Sequence, residues 1–359
     1  VHDDALAIDV ELVRGLVARS APDLAGLPVS PLGATGSSNA LFRLGSGLVV
    51  RLPRQPGGGA TIEKEARWAP YVAAHLEVAV PEVVLVGDPG LGYPERWSIT
   101  RWIDGDHPPL PGPLRPPDSG ALDGGSRDRG ADGGARDGPD RAGGARADGS
   151  RAGGARASGN GALASDLARV IAQLRAMPVP PEASGDPGLR WYRGGPLADI
   201  DDDVRAAAGA CAHIAGLDLD AARALTVWDA ALAAEAGQVA GQMAGETPTP
   251  LSPPTWYHGD LLAENLLARD GRLVAVLDLG GLGIGDPTVD LAGAWEILDA
   301  GGRDELLAAL DADDATWARA RGWMVGIALI TFPYYWTSMP ERCRVRRAAL
   351  DAALADLDL

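Results

Sequence analysis

The chain has 359 residues, a formal net charge of −17, 46% apolar residues and two cysteines. That length suits two lobes sharing an interface, and the apolar share allows a sizeable core. The acidity argues against a nucleic-acid partner, whose phosphates need a basic face, and the widely spaced Cys211 and Cys343 exclude a disulfide framework and fit a reducing cytoplasm.

The N-terminal VHDDALAIDVELVRGLV is acidic and lacks the basic-then-apolar order of a secretory leader. Residues 5–18 are predicted helical. ALFRLGSGLVVRLPR (40–54) reads as two short strands around a Gly45-Ser46-Gly47 turn. ATIEKEARWAPYVAAHL (60–76) has helical apolar spacing, and it contains Lys64, the only lysine in the chain. Two further strands are expected in AVPEVVLVGDPG and YPERWSITRWIDG, ending near Trp102.

From about Asp106 to Asn160 the composition turns to Gly, Ala, Arg, Asp and Pro, with eight Asp and eight Arg. The segment is nearly neutral, so the −17 belongs to the folded parts. It has no hydrophobic period and almost no large apolar side chain to offset ordering entropy, and it reads as a solvated insert. Deleting residues 110–158 is expected to leave folding intact. Thermal unfolding should then keep Tm within about 3 °C of the full chain, roughly 1 kcal/mol.

After the insert the chain is mainly helical, with candidates at 162–177, 199–214, 219–241 and in several segments beyond Asp290. The apolar run GWMVGIALITFPYYW (322–336) is short for a membrane span and contains Pro333, so a buried helix is expected. One β-like island, RLVAVLDLGG (272–281), interrupts the helices.

The island follows the most informative stretch, WYHGDLLAENLL (256–267). Asp260 and Asn265 stand five apart in a loop, and Asp278 ends the strand VAVLD before Leu279, Gly280 and Gly281. Magnesium bound to nucleotide phosphates wants one or two protein oxygens and keeps several waters, which an amide and a carboxylate provide. A further carboxylate accepts the proton of an attacking hydroxyl. These are the parts of kinase phosphoryl transfer.

The combined string, HGD, an Asn five residues after its Asp, strand-Asp-x-Gly and then GDPTVDLA at 285–292, resembles the catalytic core of the aminoglycoside phosphotransferase family. That family is related to the choline kinases on the protein-kinase-like fold. The resemblance implies an α+β, bilobal protein-kinase-like chain. A small β-rich N-lobe with one main helix (1–102) would bind nucleotide, and a larger, mainly helical C-lobe (103–359) would hold the catalytic groups and the acceptor, with the insert at 106–160.

The same resemblance makes Asp260 the catalytic base and gives Asn265 and Asp278 to Mg2+. His258 would brace the loop. Asp286 and Asp290 would tie the following helix to it, or cap turns. Arg51, in LVVRLPR, would take the place of the strand lysine that protein kinases use, since Lys64 sits in a helix. Its partner would be Glu65, favoured over Glu63. GATGSSNALFRL (33–44), with Ser37 and Ser38, would cover the phosphates, and Thr100, Trp102 and Ile103 would meet the nucleobase, Trp102 being open to plain hinge packing. Glu264 departs from the family pattern and is expected to point to solvent.

The implied reaction moves the γ-phosphoryl group of ATP or GTP to a hydroxyl of a small acceptor, with aminoglycosides and other antibiotics among the options. A cytoplasmic monomer or dimer is expected, with neither nucleic acid nor membrane as partner. The alternative is a non-catalytic kinase-like scaffold that holds a nucleotide or partner, suggested by the missing lysine. For the acceptor pocket, Trp191, Tyr192, Trp228, Asp229, Trp295 and Glu296 are candidates, with helical core packing the favoured reading of the aromatics. Asp199 to Asp203 read as helix-start acids or as an acidic wall.

Overall fold

The computed structural model describes residues 5–33, 38–111, 160–243 and 254–356. Asp9 decides where the first helix begins: its side chain accepts a hydrogen bond from Leu12 N at 2.8 Å and caps α1, Val10–Ser20. Residues 5–9, predicted helical, instead run irregularly, with Leu6 N bonded to Arg54 O. The capping carboxylate, not the apolar period, set the boundary.

Five strands follow: β1 (Val29–Pro31), β2 (Asn39–Leu44), β3 (Leu48–Pro53), β4 (Val83–Gly87) and β5 (Trp97–Arg101). They form one antiparallel sheet in the order β1-β2-β3-β5-β4. The predicted hairpin is β2–β3, turned by Gly45 at φ 60°. β1 has no counterpart in the sequence reading because three residues give too little alternation to register. β3 is central, and its Arg51 lies opposite Leu41 on one side and Ser98 on the other. Val13, Leu16 and Val17 of α1 pack on Leu44, Val50, Leu52, Trp97 and Ile99 to form the core of this lobe.

The helix α2, Gly59–Ala73, lies between β3 and β4 in sequence but does not join that core. Its Trp68, Ala69 and Val72 belong to the apolar cluster of the second lobe. Trp68 meets Trp256 edge to face at 5.3 Å and donates its Nε1–H to Asp186 at 2.9 Å. Such rings bury large areas and contribute about 0.5–1.5 kcal/mol per pair beyond that burial. α2 is thus anchored to the helical lobe while carrying Glu65 toward the sheet.

The second lobe contains α3 (Gly161–Ala176), the short α4 (Pro181–Ser184), α5 (Asp201–Cys211) and α6 (Ala221–Met243). Two small hairpins follow: β6 (Thr255–Tyr257) with β9 (Gly283–Gly285), and β7 (Leu266–Arg269) with β8 (Arg272–Val276). Four helices close it: α7 (Ala294–Ile297), α8 (Ala300–Leu310), α9 (Asp314–Tyr335) and α10 (Pro340–Ala355). α9, which holds the apolar run expected to be buried, packs against α5, α6 and α10. Among the described residues no helix is long and apolar enough to cross a membrane. Both cysteines are buried thiols.

Three sequence boundaries move. Residues 106–111, placed in the insert, are partly tied down: Asp106 pairs with Ala268, and His107 Nδ1 lies 3.1 Å from Leu266 O. The rest of the repeat, 112–159, lies outside the described residues. The 199–214 segment begins as a 3-10 turn and becomes α-helical only at Asp201. The β-like island is a strand only to Val276, because the chain there turns to present Asp278.

Asp166 of α3 fastens that helix to the β7–β8 hairpin. Its carboxylate, 2% exposed, accepts from Arg272 Nε at 2.7 Å and Nη2 at 2.6 Å, and from Leu273 N at 3.0 Å. The Arg272 hydrogen bonds hold the carboxyl below its ordinary range despite burial. Asp166→Asn is expected to cost about 2–3 kcal/mol in denaturant unfolding, less than a fully enclosed pair because Arg272 is half exposed. Because the folded pKa is depressed, this contribution is present above the ordinary aspartate pKa and is lost as pH falls through the folded value. The gap between wild type and variant should therefore close toward acid pH.

Candidate active site

β6 runs directly into the loop His258–Asn265. Gly259 sits at φ 82°, and a Cβ there would stand 2.5 Å from Gly281 O, so neither the backbone nor the space admits another residue. Asp290 accepts the amides of His258 and Gly259, both at 2.7 Å, and burial raises its carboxyl pKa against that pull. His258, fully buried, accepts from Asp260 N at Nδ1, so its Nε2 carries the proton and donates to Leu277 O at 2.9 Å. The expected brace is thus present on both sides. Asp286 takes the second of the two roles expected of it: it caps the turn at Thr288 N, and it also pairs with Arg319 of α9.

Asp260 has both oxygens engaged. Asn265 Nδ2 donates to Oδ2 at 2.8 Å and to the Asp260 carbonyl at 2.8 Å, while Arg193 Nη1 pairs with Oδ1 and also donates to Gly259 O at 3.0 Å. Burial raises the Asp260 carboxyl pKa, but Arg193 and the more distant Arg346 outweigh it and hold the group below its ordinary range. It is an ionised acceptor at neutral pH.

Asp278 lies at the end of the β8 segment in the left-handed region, φ 54°, a conformation Asp tolerates better than most residues. The turn is fixed by Gly280 N donating to Oδ1 at 3.2 Å. Arg51 Nη2 is 3.3 Å from the same oxygen. Arg51 also grips Glu65 through both guanidinium nitrogens, the Nη2–Oε1 bond measuring 3.1 Å. Glu63 is elsewhere, paired on the surface with Arg96. One buried guanidinium therefore serves two carboxylates. Burial pushes Glu65 up to about 7, Arg51 opposing and Asp278 adding to the rise. Burial works against the charge on Arg51, but Glu65 and Asp278 outweigh it. Lys64, one residue earlier on α2, donates to Gly280 O and, at 3.1 Å, to Leu282 O. The sole lysine locks α2 to the loop after Asp278.

A cleft of about 270 Å³ runs between sheet and hairpins, lined by Arg51, Thr100, Trp102, Ile103, Asn265 and Asp278 among others. Six of the residues expected at the nucleotide and metal are thus together. Glu65 reaches the cleft through Arg51. Ser38 is exposed and does not line it; its carbonyl accepts Arg54 N. Ser37 lies outside the described residues. Trp102 combines both readings: it lines the cleft, its ring carries the Arg43 guanidinium at 3.7 Å, and its Nε1 donates to Asp104 at 2.6 Å.

The residues fit a magnesium site. The Asn265 NH2 is committed to Asp260, which leaves Oδ1 as its ligand atom, and Asp278 adds a carboxylate that is about one-third exposed. Among the described residues no group of three or more His, Cys, Asp or Glu forms a cage. Two oxygens that leave positions for phosphate and water suit magnesium. Glu264, expected to face solvent, instead pairs with Arg342 at 2.9 Å and Arg346 at 3.1 Å, and Arg346 also binds buried Glu296. Its charge is balanced by α10, while the residue lines the same cleft as Asn265 and Asp278.

On the far side of Asp260, Arg193 forms one wall of a second pocket of about 260 Å³ between the 3-10 turn at Tyr192–Gly194 and α9. Tyr192, a sequence candidate, lines it. Trp228 does not: it is fully buried and bonds Asp201. Asp229 pairs with Arg205, Trp295 with Asp356 and Glu296 with Arg346, all away from the pocket. Trp191 packs against the catalytic loop, where its ring would meet a Cβ at Gly259 or Gly281. The acids of 199–203 behave as helix-start residues, Asp201 being held by Trp228 and Arg205. Arg193 had no sequence signal, since a lone Arg in a Gly-rich turn says nothing of a partner 67 positions away.

A β-sheet lobe, a helical lobe, and between them Asp260, Asn265, Asp278 and an Arg–Glu pair define a protein-kinase-like phosphotransferase of small molecules. The chain belongs to the phosphotransferase enzyme family, APH, whose model matches residues 29–122 and 140–323. The unmatched gap falls inside the Gly-Ala-Arg-Asp repeat. Among curated proteins no relative matches. Solved structures resemble the chain over nearly its full length. The GDP complex of wild-type aminoglycoside 2'-phosphotransferase-IIIa is 17% identical with a TM-score of 0.56, covering 98% of this chain and 100% of that one. The streptomycin–ATP–APH(2'')-IIa ternary complex is 14% identical with a TM-score of 0.53, covering 96% of each chain. The apoenzyme of macrolide 2'-phosphotransferase MphH from Brachybacterium faecium is 19% identical with a TM-score of 0.52, covering 96% of this chain and 97% of that one. At such identities the likeness establishes the fold.

Proposed function

We propose that this protein transfers the γ-phosphoryl group of ATP or GTP to a hydroxyl of a small acceptor, with residues 1–102 acting as the nucleotide lobe and 103–359 as the catalytic lobe. The carrying observation is that Asn265 joins the two halves of the site: its NH2 holds the base candidate Asp260, and its residue lines the same cleft as Asp278 and Arg51. Asp260 takes the proton as the acceptor oxygen attacks the γ-phosphorus. The bond from that phosphorus to the β–γ bridging oxygen breaks, and its electron pair leaves with the nucleoside diphosphate. Asn265 and Asp278 would hold magnesium, which supplies neutralisation of the phosphate charge. Arg51, kept in place by Glu65, grips phosphate oxygens, a task its fixed fork suits. Thr100 to Ile103 seat the base. The nucleotide complexes among the similar structures support a nucleotide donor.

The contacts of Arg51 with Glu65 and Asp278 count against the scaffold alternative, since they put a cation where the absent strand lysine would act. The test is formation of nucleoside diphosphate from ATP and GTP in the presence of hydroxyl acceptors, with and without magnesium. Turnover is expected with at least one nucleotide and should vanish on chelation. Nucleotide binding without any formation of nucleoside diphosphate, alone or with acceptors, favours the scaffold.

A further inference from the structure

The acidity of the chain invites a polycationic acceptor, but the pocket next to Asp260 is built otherwise. Among the described residues lining it, the only charged one is Arg193, a cation. No carboxylate lines it among the described residues, and Asp201, at the start of α5, is committed to Trp228 and Arg205. The walls are aromatic and aliphatic, with Tyr192 from the 3-10 turn and Ile327, Ile330, Tyr334 and Tyr335 from α9. Tyr192 and Tyr334 remain 43% and 58% exposed and so offer ring surface at the rim. Trp323 lines the same pocket, is 1% exposed, and its indole Nε1 is buried without a hydrogen-bond partner among the described residues. An orphaned donor costs about 1–3 kcal/mol, which a ligand oxygen removes. A volume of about 260 Å³ lies just below the usual range for drug-sized ligands and holds one or two rings.

We propose that this pocket is the acceptor site and takes an uncharged hydroxyl compound with a compact aromatic or alicyclic body and an oxygen for Trp323 Nε1, not a polycation. The inference rests on the kinase reading for its chemistry. Arg193 is the specificity device: its guanidinium faces both the pocket and Asp260. An ammonium-rich ligand would meet the Arg193 guanidinium, and the carboxylate behind it, Asp260, is already paired with that cation, whereas a neutral hydroxyl compound brings no charge to desolvate among the rings.

Calorimetric binding to the full-length protein, in the presence of magnesium and a non-hydrolysable ATP or GTP analogue, tests this. The probes are chloramphenicol and borneol as neutral hydroxyl compounds, and kanamycin and streptomycin as polycations. At least one neutral probe is expected to bind tenfold or more tightly than either polycation. The rim variant Tyr334→Asp, exposed enough to fold, should shift that ratio at least tenfold toward kanamycin. Polycations binding as tightly, neutral probes failing to bind below 1 mM, or an unmoved ratio overturns the assignment. Magnesium-dependent phosphate release by the wild type without acceptor separates this failure from failure of the kinase reading.

Discussion

Asp260→Asn is expected to lower kcat by about 10²- to 10⁴-fold, the usual contribution of a positioned general base. The side chain is ionised at neutral pH because Arg193 and Arg346 outweigh its burial, so the wild type has a lone pair ready for the acceptor proton. An amide cannot take that proton. It also turns its NH2 toward either Asn265 or Arg193, both donors to this group. The ion pair to Arg193 is lost as well, and a loss of stability of about 1–3 kcal/mol should accompany the kinetic defect. Nucleotide affinity should change little, since Arg51, Thr100 and Asp278 are untouched. Single-turnover rates, nucleotide titration and denaturant unfolding of one variant distinguish these effects. Turnover retained within tenfold removes Asp260 from the role of base.

The second large effect is expected for Arg51→Ala, with kcat/KM for the nucleotide falling about 10²- to 10³-fold, or roughly 3–4 kcal/mol of transition-state binding. The loss has two sources. The phosphates lose a buried, preorganised cation, and Glu65 and Asp278 are left as carboxylates near each other without the guanidinium between them. Glu65, already pushed up to about 7, takes up a proton in response, which limits the damage to stability. Arg51→Lys should recover part of the activity but not all, because one ammonium cannot hold Glu65 at two points and also reach Asp278. A full recovery by lysine means that only the charge matters and the fork does not.

The structure also bears on why the site needs so many partners. Asp260, Asn265 and Asp278 sit on short irregular turns that carry little stability of their own. They are held by Asp290 from one side, by Lys64 of α2 from another and by the Arg346–Glu264–Glu296 network of α10 from a third. Each brace comes from a different part of the chain. Positioning of this kind is what phosphoryl transfer asks of a protein, since little covalent chemistry is involved.

The sequence by itself determined the elements with strong local signals: the β2–β3 hairpin around Gly45, helices α2, α3 and α6, the buried run in α9, and the string His258 to Asp278. Those rest on chain-local physics, such as turn chemistry, apolar period and the spacing of oxygen-bearing side chains around one short hairpin. Family resemblance then distinguished Glu65 from Glu63. Only tertiary structure decided that α2 packs its Trp68 face on the helical lobe, that Glu264 is neutralised by Arg342 and Arg346, and that Arg193 stands between Asp260 and a pocket with no carboxylate. Each of those depends on two charges or two apolar faces meeting across dozens of residues. Burial and geometry set whether such a contact forms, and neither is written in the order of residues along one segment.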